Sequence, residues 1–219
     1  MLISAISLKI GSRFVLYDVG IEFVRGLNVI LGPNGSGKTT LLRCIIGMLK
    51  PQAGWVEIEE GEKSYAPAEF FGAEMRVLDV LLSGGSNKDY RSYLNLFGLE
   101  QFLDRNFASL STGEKRLVIV AKTLAEGDVV LMDEPTSGLD LKNQVKLKAA
   151  LTAMKHKVLV VSTHDVSFAQ AADRVTLLKG GRVLAHGETS QVLTEELLTQ
   201  LYEVRVRRVN VDGQTIFLT

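Results

Sequence analysis

The sequence has little cysteine and no long hydrophobic run. Cys44 is the single cysteine among 219 residues, which excludes an internal disulfide and is compatible with a reducing compartment. A helix that crosses a bilayer needs about 20 predominantly apolar residues, whereas the apolar runs here have the length of strands, as at residues 158–161. The amino terminus lacks a basic segment followed by an apolar core, so no secretory signal is predicted. We therefore expect a soluble protein that reaches a membrane only through a partner.

An excess of charge of one sign is also missing. The 25 basic residues balance the 25 acidic residues, so no general attraction to nucleic acid or to acidic lipid is expected. Hydrophobic residues make up 46% and charged residues 23% of the chain, which is typical of a globular protein. The length permits one large domain with a substantial core. This composition predicts no nucleic-acid partner and no direct insertion into a membrane.

Residues 32–39 have the sequence Gly-Pro-Asn-Gly-Ser-Gly-Lys-Thr, which is the pattern of a phosphate-binding loop. An apolar run at 27–31 predicts a strand before it, and apolar residues at helical spacing follow it. Backbone N–H groups of such a loop surround a phosphate, and the helix N-terminus adds partial positive charge. Lys38 is predicted to reach the β- and γ-phosphates, and Thr39 to hold Mg²⁺. The predicted nucleotide contacts are Asn34, Gly35, Ser36, Gly37, Lys38, Thr39 and Thr40.

Two carboxylates, Asp133 and Glu134, follow the apolar run at 129–132. The carboxyl end of a buried parallel strand faces the ligand crevice, so Asp133 is predicted to hold Mg²⁺. Glu134 is predicted to deprotonate the water that attacks the γ-phosphate, although the pair also suits a cap for the next turn. His164 follows the run at 158–161 and lies at the same edge. From its position alone, it is either structural or a donor to the γ-phosphate.

The order of the patterns predicts an α/β fold with a phosphate-loop NTPase core. Alternating residues at 2–8, 14–24 and 54–59 indicate an antiparallel β part, in which Trp55 is expected to pack in a core. Strand and helix patterns alternate from 129 onward, which predicts a mostly parallel, doubly wound sheet. We assign residues 1–66 and 121–219 to the core of a single domain and 67–120 to an inserted helical subdomain. Asp212-Gly213 predicts a C-terminal hairpin.

The stretch Leu-Ser-Thr-Gly-Glu at 110–114 opens another predicted helix. Ser111 and Glu114 have the spacing of a capping box, which is a sufficient explanation of both residues. Alternatively, Ser111 and Gly113 at the helix N-terminus bind an anion. Because this helix belongs to the insertion, that anion is expected to be the phosphate of a nucleotide bound by a second copy. This alternative predicts a symmetric dimer with two nucleotides at its interface.

Three elements together resemble the ATP-binding subunit of ATP-binding-cassette transporters. They are the phosphate loop, the stretch at 110–114 and Asp-Glu-Pro-Thr-Ser-Gly-Leu-Asp at 133–140, and the resemblance covers essentially the whole chain. It implies a head-to-tail dimer that binds and hydrolyses MgATP and drives transmembrane permease subunits from the cytoplasmic face of the membrane. It also implies that Glu134 is the general base, that His164 is the switch histidine and that Asp140 contacts the partner.

The sequence departs from the family pattern at several positions. Thr112 and Glu114 replace a glycine and a glutamine of the usual LSGGQ signature. Ala68 aligns with a family glutamine that ligates Mg²⁺, and the neighbouring Glu69 is an alternative for that role. The aromatic residue that stacks on adenine is also displaced. Phe14 is predicted to take its place, with Tyr17 as an alternative, since Ile10 stands near the usual position.

The C-terminal part indicates a subgroup of the family. Residues 140–144, residues 193–197 and the hairpin resemble importers of iron chelates, haem or cobalamin. Ala68 and Thr112 keep a second function open, a regulatory or assembly module that closes on ATP but hydrolyses it slowly. A role on DNA or ribosomes is not favoured, because the chain is neutral and carries a single cassette.

Overall fold

The computed structural model describes residues 1–58, 61–69, 72, 74–85 and 88–219. The last residue of the strand predicted at 54–59 lies outside this range. The strands are β1 (Leu2–Ile10), β2 (Arg13–Glu22), β3 (Gly26–Leu31), β4 (Ala53–Glu57), β5 (Lys63–Ala66), β6 (Val129–Asp133), β7 (Val158–Thr163), β8 (Arg174–Lys179), β9 (Arg182–Glu188), β10 (Arg207–Val211) and β11 (Gln214–Leu218). The helices are α1 (Lys38–Ile46), α2 (Val77–Leu82), α3 (Tyr90–Phe97), α4 (Thr112–Glu126), α5 (Leu141–Ala153), α6 (Val166–Ala169), α7 (Thr189–Val192) and α8 (Glu195–Tyr202).

The central sheet has the order β5-β6-β7-β3-β8-β9. Its first five strands are parallel, and β9 pairs antiparallel to β8. A separate antiparallel sheet has the order β2-β1-β4, and β10 pairs with β11 as a hairpin. The central sheet is mostly parallel, the N-terminal sheet is antiparallel and helices are inserted between them, so the predicted α/β fold class is confirmed.

Burial explains why the central strands form. Every residue of β3 and β6 is buried, and five of the six residues of β7 are buried. Parallel strands covered on both faces need continuous apolar runs, which is what the sequence has at these positions. One hydrophobic cluster packs α1 and the antiparallel sheet against one face, and the other packs the helices of the insertion against the opposite face. Because β6, β7 and β3 are parallel, their carboxyl ends lie next to one another at one edge of the central sheet.

Three details differ from the sequence patterns or add to them. Strand β5 is not predicted, because its four residues are too few and too polar to show a period. Trp55 is 50% exposed, so the expected core packing is wrong: it lies on β4, an edge strand of the small sheet. The hairpin at Asp212-Gly213 is confirmed, and both residues have positive φ, at 50° and 79°.

The proposed division at 66/67 and 120/121 stays a prediction. Helices α2 and α3 and two 3₁₀ turns, Glu100–Phe102 and Phe107–Ser109, occupy the segment assigned to the insertion. Helix α4 begins there and continues to Glu126, past the second boundary. Among the helices of the described ranges, none has the length and apolar character needed to cross a bilayer.

Candidate functional site

The candidate site lies where three neighbouring strands end. Strands β6, β7 and β3 are adjacent, with Asp133 paired to Ser162 and Leu31 paired to Thr163. The phosphate loop follows β3, Glu134 follows β6 and His164 follows β7. Parallel pairing therefore brings three segments that are far apart in the sequence to one edge, as predicted for a ligand crevice.

The phosphate loop encloses its own lysine. Lys38 is buried, and its Nζ donates hydrogen bonds to the carbonyl oxygens of Gly32 at 2.7 Å and Pro33 at 3.2 Å. Gly37 has a φ of 105°, and a Cβ there would lie 2.9 Å from the carbonyl oxygen of Val15, so a side chain would strain this turn. The loop lines a cleft of about 230 Å³ whose other walls are Val15 and Glu134.

All seven predicted nucleotide contacts of the loop line this cleft. They are Asn34, Gly35, Ser36, Gly37, Lys38, Thr39 and Thr40. Burial lowers the pKa of Lys38, and the nearby carboxylates of Glu134 and Asp133 oppose that effect. The lysine is therefore a desolvated cation in a concave site, which favours the binding of an anion.

Glu134 faces both Lys38 and His164. Its Oε1 lies 3.7 Å from Lys38 Nζ, and its Oε2 lies 3.1 Å from His164 Nδ1. Glu134 has a φ of 47°, which is unusual for a residue with a side chain, and its N–H donates to the carbonyl oxygen of Ser162 at 3.0 Å. This backbone conformation holds Glu134 at the wall of the cleft.

The residues predicted to hold magnesium suit such an ion. Asp133 is buried, and its Oδ1 accepts a hydrogen bond from Ser162 Oγ. Its Oδ2 and the Oγ of Ser36 are buried without a hydrogen-bond partner among the described residues. Buried oxygens of this kind require a donor or a cation. Because Mg²⁺ takes one or two protein oxygens together with phosphate oxygens and water, Asp133 and Thr39 fit its demands.

Ser111 and Glu114 form the predicted capping box. Ser111 Oγ accepts from the Glu114 N–H at 3.2 Å, and Glu114 Oε2 accepts from the Ser111 N–H at 2.8 Å. Ser111 is exposed, and neither it nor Gly113 lines the cleft described above. The capping interpretation is confirmed, whereas anion binding by Ser111 and Gly113 stays a prediction. That prediction requires a second copy, whose phosphate loop these residues would face.

Phe14 lies outside the phosphate cleft, next to a bulge in the first antiparallel sheet. Strand β1 pairs Leu8 with Leu16 and Lys9 with Phe14, so Val15 is the extra residue of a bulge. Bulges re-aim side chains, and here it is Val15 that lines the phosphate cleft. Phe14 lines a separate surface cavity, where its ring packs edge-on against Tyr17 at 5.0 Å between centroids. Phe14 does not line the phosphate cleft, and adenine stacking by its ring, or by the alternative Tyr17, stays a prediction.

Three residues that support segments near the site were not identified from the sequence patterns. Arg116, on the buried side of α4, donates from Nη1 to the carbonyl oxygen of Pro67 at 2.7 Å and from Nη2 to that of Ala68. Ser162 supports Asp133, and the hydroxyl of Tyr202 donates to the carbonyl oxygen of His164 at 3.0 Å. A buried arginine among apolar helical residues is the one local signal that points to any of them. The other two contacts depend on packing.

Comparison with known proteins agrees with this geometry. The family model described as ABC transporter matches residues 19–137. The hemin import ATP-binding protein HmuV of Rhodopseudomonas palustris (strain BisB18) is 32% identical to this chain, over 98% of this chain and 92% of that protein.

Solved structures show the same likeness. A chain of a transporter assigned to the metal-chelate type of ABC transporter, in an inward-facing conformation, has a TM-score of 0.87 and 25% identity, covering 99% of this chain and 94% of that one. A dimeric bacterial ABC transporter cassette has a TM-score of 0.75 and 24% identity, covering 86% of this chain and 98% of the other. The second likeness concerns the fold alone.

Proposed function

The chain belongs to the ABC transporter family as an ATP-binding subunit, an ATPase, and from this premise we propose that it hydrolyses MgATP in a head-to-tail dimer. The energy released drives transmembrane permease subunits. The observation that carries the proposal is the position of Glu134, whose carboxylate faces both the phosphate-loop lysine and His164. A base, a cation and a third polar group at one cleft match the requirements of phosphoryl transfer to water.

Each side chain has a distinct role in this proposal. Lys38 exchanges its hydrogen bonds to Gly32 and Pro33 for bonds to the β- and γ-phosphates, and its charge offsets theirs. Glu134 orients the attacking water and accepts its proton, and His164 donates to the γ-phosphate. Thr39 and Asp133 would hold Mg²⁺, which would neutralise the charge that develops on the phosphate.

The dimer is inferred from what one copy leaves incomplete. Exposed Ser111 and half-buried Gly113 lie at the start of α4, and neither lines its own cleft. The Gly113 N–H and the Ser111 hydroxyl are the groups available at this helix N-terminus, because the Ser111 N–H already donates to Glu114. In a head-to-tail pair, these groups of one copy close the nucleotide site of the other, so two ATP molecules lie at the interface. Asp140 caps α5 by accepting from the Asn143 N–H at 2.8 Å, and we assign it to the same interface.

We further propose that the subunit serves an importer at the inner face of the membrane, as a peripheral cytoplasmic protein. The similarity to a hemin import protein and to a metal-chelate type transporter supports a cargo of the iron-chelate, haem or cobalamin class. In this proposal, the permease subunits that admit the cargo are separate chains.

The test compares the ATPase rates of the wild type and Glu134→Gln. Loss of a general base should slow turnover by about 10²–10⁴-fold, because the amide keeps the shape but cannot accept the proton. MgATP should still bind to Glu134→Gln, and the variant should accumulate as a dimer in size-exclusion chromatography. Glu57→Gln, which changes an exposed glutamate on β4, is the matched control and should retain the wild-type rate. Equal rates for the wild type and Glu134→Gln would contradict the proposal.

A second candidate is a regulatory or assembly module that closes on ATP but hydrolyses it slowly. Two observations favour it: Ala68 cannot ligate Mg²⁺, and the Thr112 Cγ2 lies 3.2 Å from the position that a Cβ would take at Gly138. The Thr112 side chain therefore lies against the loop that contains Gly138, beside the start of α4. Replacing it with the family's glycine should raise the turnover rate several-fold if this contact limits closure. An ATP-dependent dimer with negligible wild-type turnover would favour this candidate.

A further inference from the structure

Tyr202 contacts the segment that carries the switch histidine. Its hydroxyl donates to the backbone carbonyl oxygen of His164 at 3.0 Å, although the two residues are 38 positions apart. The imidazole of His164 is 63% exposed, and its Nδ1 contacts Glu134. The contact therefore joins the end of α8 to the backbone of a residue that faces the cleft.

Hydrogen bonds constrain the backbone next to His164. The Asp165 N–H donates to Thr163 Oγ1 at 3.0 Å, and Asp165 caps α6 by accepting from the Ser167 N–H at 2.8 Å. The carbonyl of His164 lies between these two anchors. The hydrogen bond from Tyr202 completes the set and limits rotation of the peptide group from which the imidazole projects.

Helix α8 holds the hydroxyl in place. Glu203 caps the C-terminus of the helix with a φ of 60°, and Lys179 at the end of β8 pairs with the Glu203 carboxylate at 2.7 Å. The Thr199 Oγ1 accepts from the Val206 N–H at 2.9 Å, which fixes the chain beyond the helix. The neighbouring Gly181 N–H donates to the carbonyl oxygen of Ser36 in the phosphate loop at 2.9 Å. Helix α8 therefore contacts His164 directly through Tyr202, and it is linked to the phosphate loop through the β8–β9 turn, which contains Gly181.

The hydroxyl stays protonated and remains a donor. Burial raises the pKa of Tyr202, and the negative charges of Glu134 and Asp165 raise it further. The phenol therefore does not ionise in the range where ATPases work. The effect of Glu134 also indicates that the phenol lies in the electrostatic field of the candidate general base.

We propose that Tyr202 is a positioning residue for His164. The tyrosine hydroxyl holds the carbonyl of His164 so that the imidazole faces Glu134 and the γ-phosphate. This inference rests on the proposed function, because it concerns the efficiency of the same hydrolysis. In this proposal, helix α8 contributes to ATP hydrolysis through Tyr202.

Tyr202→Phe tests the proposal, since it removes the hydroxyl and keeps the ring. We expect kcat to fall about three- to tenfold, the loss of one hydrogen bond, with little change in KM for ATP. In a His164→Ala background, the same change should have no further effect, because the group that Tyr202 positions is absent. Tyr90→Phe is the matched control. It also removes a hydroxyl that donates to a backbone carbonyl, that of Gly85 at 2.9 Å, but it lies in the segment assigned to the insertion.

The outcomes separate this inference from the proposed function. If the wild type shows no turnover beyond that of Glu134→Gln, the proposed function fails before Tyr202 is considered. If the wild type is active and Tyr202→Phe matches it in kcat, the positioning role is overturned. An equal loss in the wild-type and His164→Ala backgrounds also overturns it, because Tyr202 then acts independently of His164. An equal loss in Tyr90→Phe would point to a general effect on stability and overturn it as well.

Discussion

The Nζ of Lys38 lies 3.7 Å from Oε1 of Glu134, across a cleft formed by segments 96 positions apart in the sequence. The lysine also donates to two carbonyl oxygens of its own loop, so its charge is already partnered. A bound phosphate must compete with these partners. The phosphate is a stronger acceptor than a carbonyl because it is charged, and the exchange favours binding.

Lys38→Met should weaken ATP binding by about 10–100-fold, because hydrogen bonds to charged groups contribute about 1.5–3 kcal/mol. Titration with a fluorescent ATP analogue measures the affinity. Lys50→Met removes an exposed lysine beyond α1 and should bind as the wild type does. An unchanged affinity in Lys38→Met would mean that the lysine does not contact the nucleotide.

Ser162→Ala should raise the Mg²⁺ concentration required for half-maximal ATPase activity by several-fold. The change removes the hydroxyl that donates to Asp133 Oδ1 and leaves this buried carboxylate less well oriented. A Mg²⁺ titration at saturating ATP measures the effect. Ser64→Ala is the control, because Ser64 Oγ donates to the Thr123 carbonyl at 2.8 Å in an equally buried setting. It should lower stability by about 1 kcal/mol without changing the Mg²⁺ requirement.

Arg116→Met should destabilise the protein by roughly 2 kcal/mol, because it removes donors from the carbonyls of Pro67 and Ala68. Arg116→Lys keeps one donor group, and its free energy of unfolding should lie between those of the wild type and Arg116→Met. Urea unfolding measures the stability. The ATPase rate should fall in the same order if the loop must be held beside the cleft. Equal stability for all three proteins would show that these hydrogen bonds contribute nothing net.

The stability of the wild type should fall between pH 9 and pH 11 relative to Cys44→Ala. Burial raises the pKa of the Cys44 thiol from 9.0 to about 11, so in this window the unfolded chain loses the proton while the native protein keeps it. The difference should reach about 1–2 kcal/mol near the upper limit. Urea unfolding at pH 8 and near pH 10.5 measures it. A difference that stays constant with pH would contradict the burial of the thiol.

Local motifs account for the part of the site that sequence reasoning identifies. The phosphate loop, Asp133 and Glu134 each follow an apolar run, and the structure confirms strands β3 and β6 at those runs. His164 is found in the same way, at the end of β7. A short strand such as β5 shows no such period, and the bulge that brings Val15 to the cleft is not visible in the residue types.

The sequence alone determined the fold class, the phosphate loop and the carboxylates of the cleft, because these depend on short-range patterns of burial and turn chemistry. Tertiary structure alone decided that β3 lies beside β7, that Val15 rather than Phe14 lines the cleft, and that Tyr202 reaches His164. The physical reason is that the two kinds of feature depend on interactions over different distances along the chain. A hydrophobic period specifies which face of an element is buried, whereas the partner of a hydroxyl or guanidinium depends on how the elements pack together.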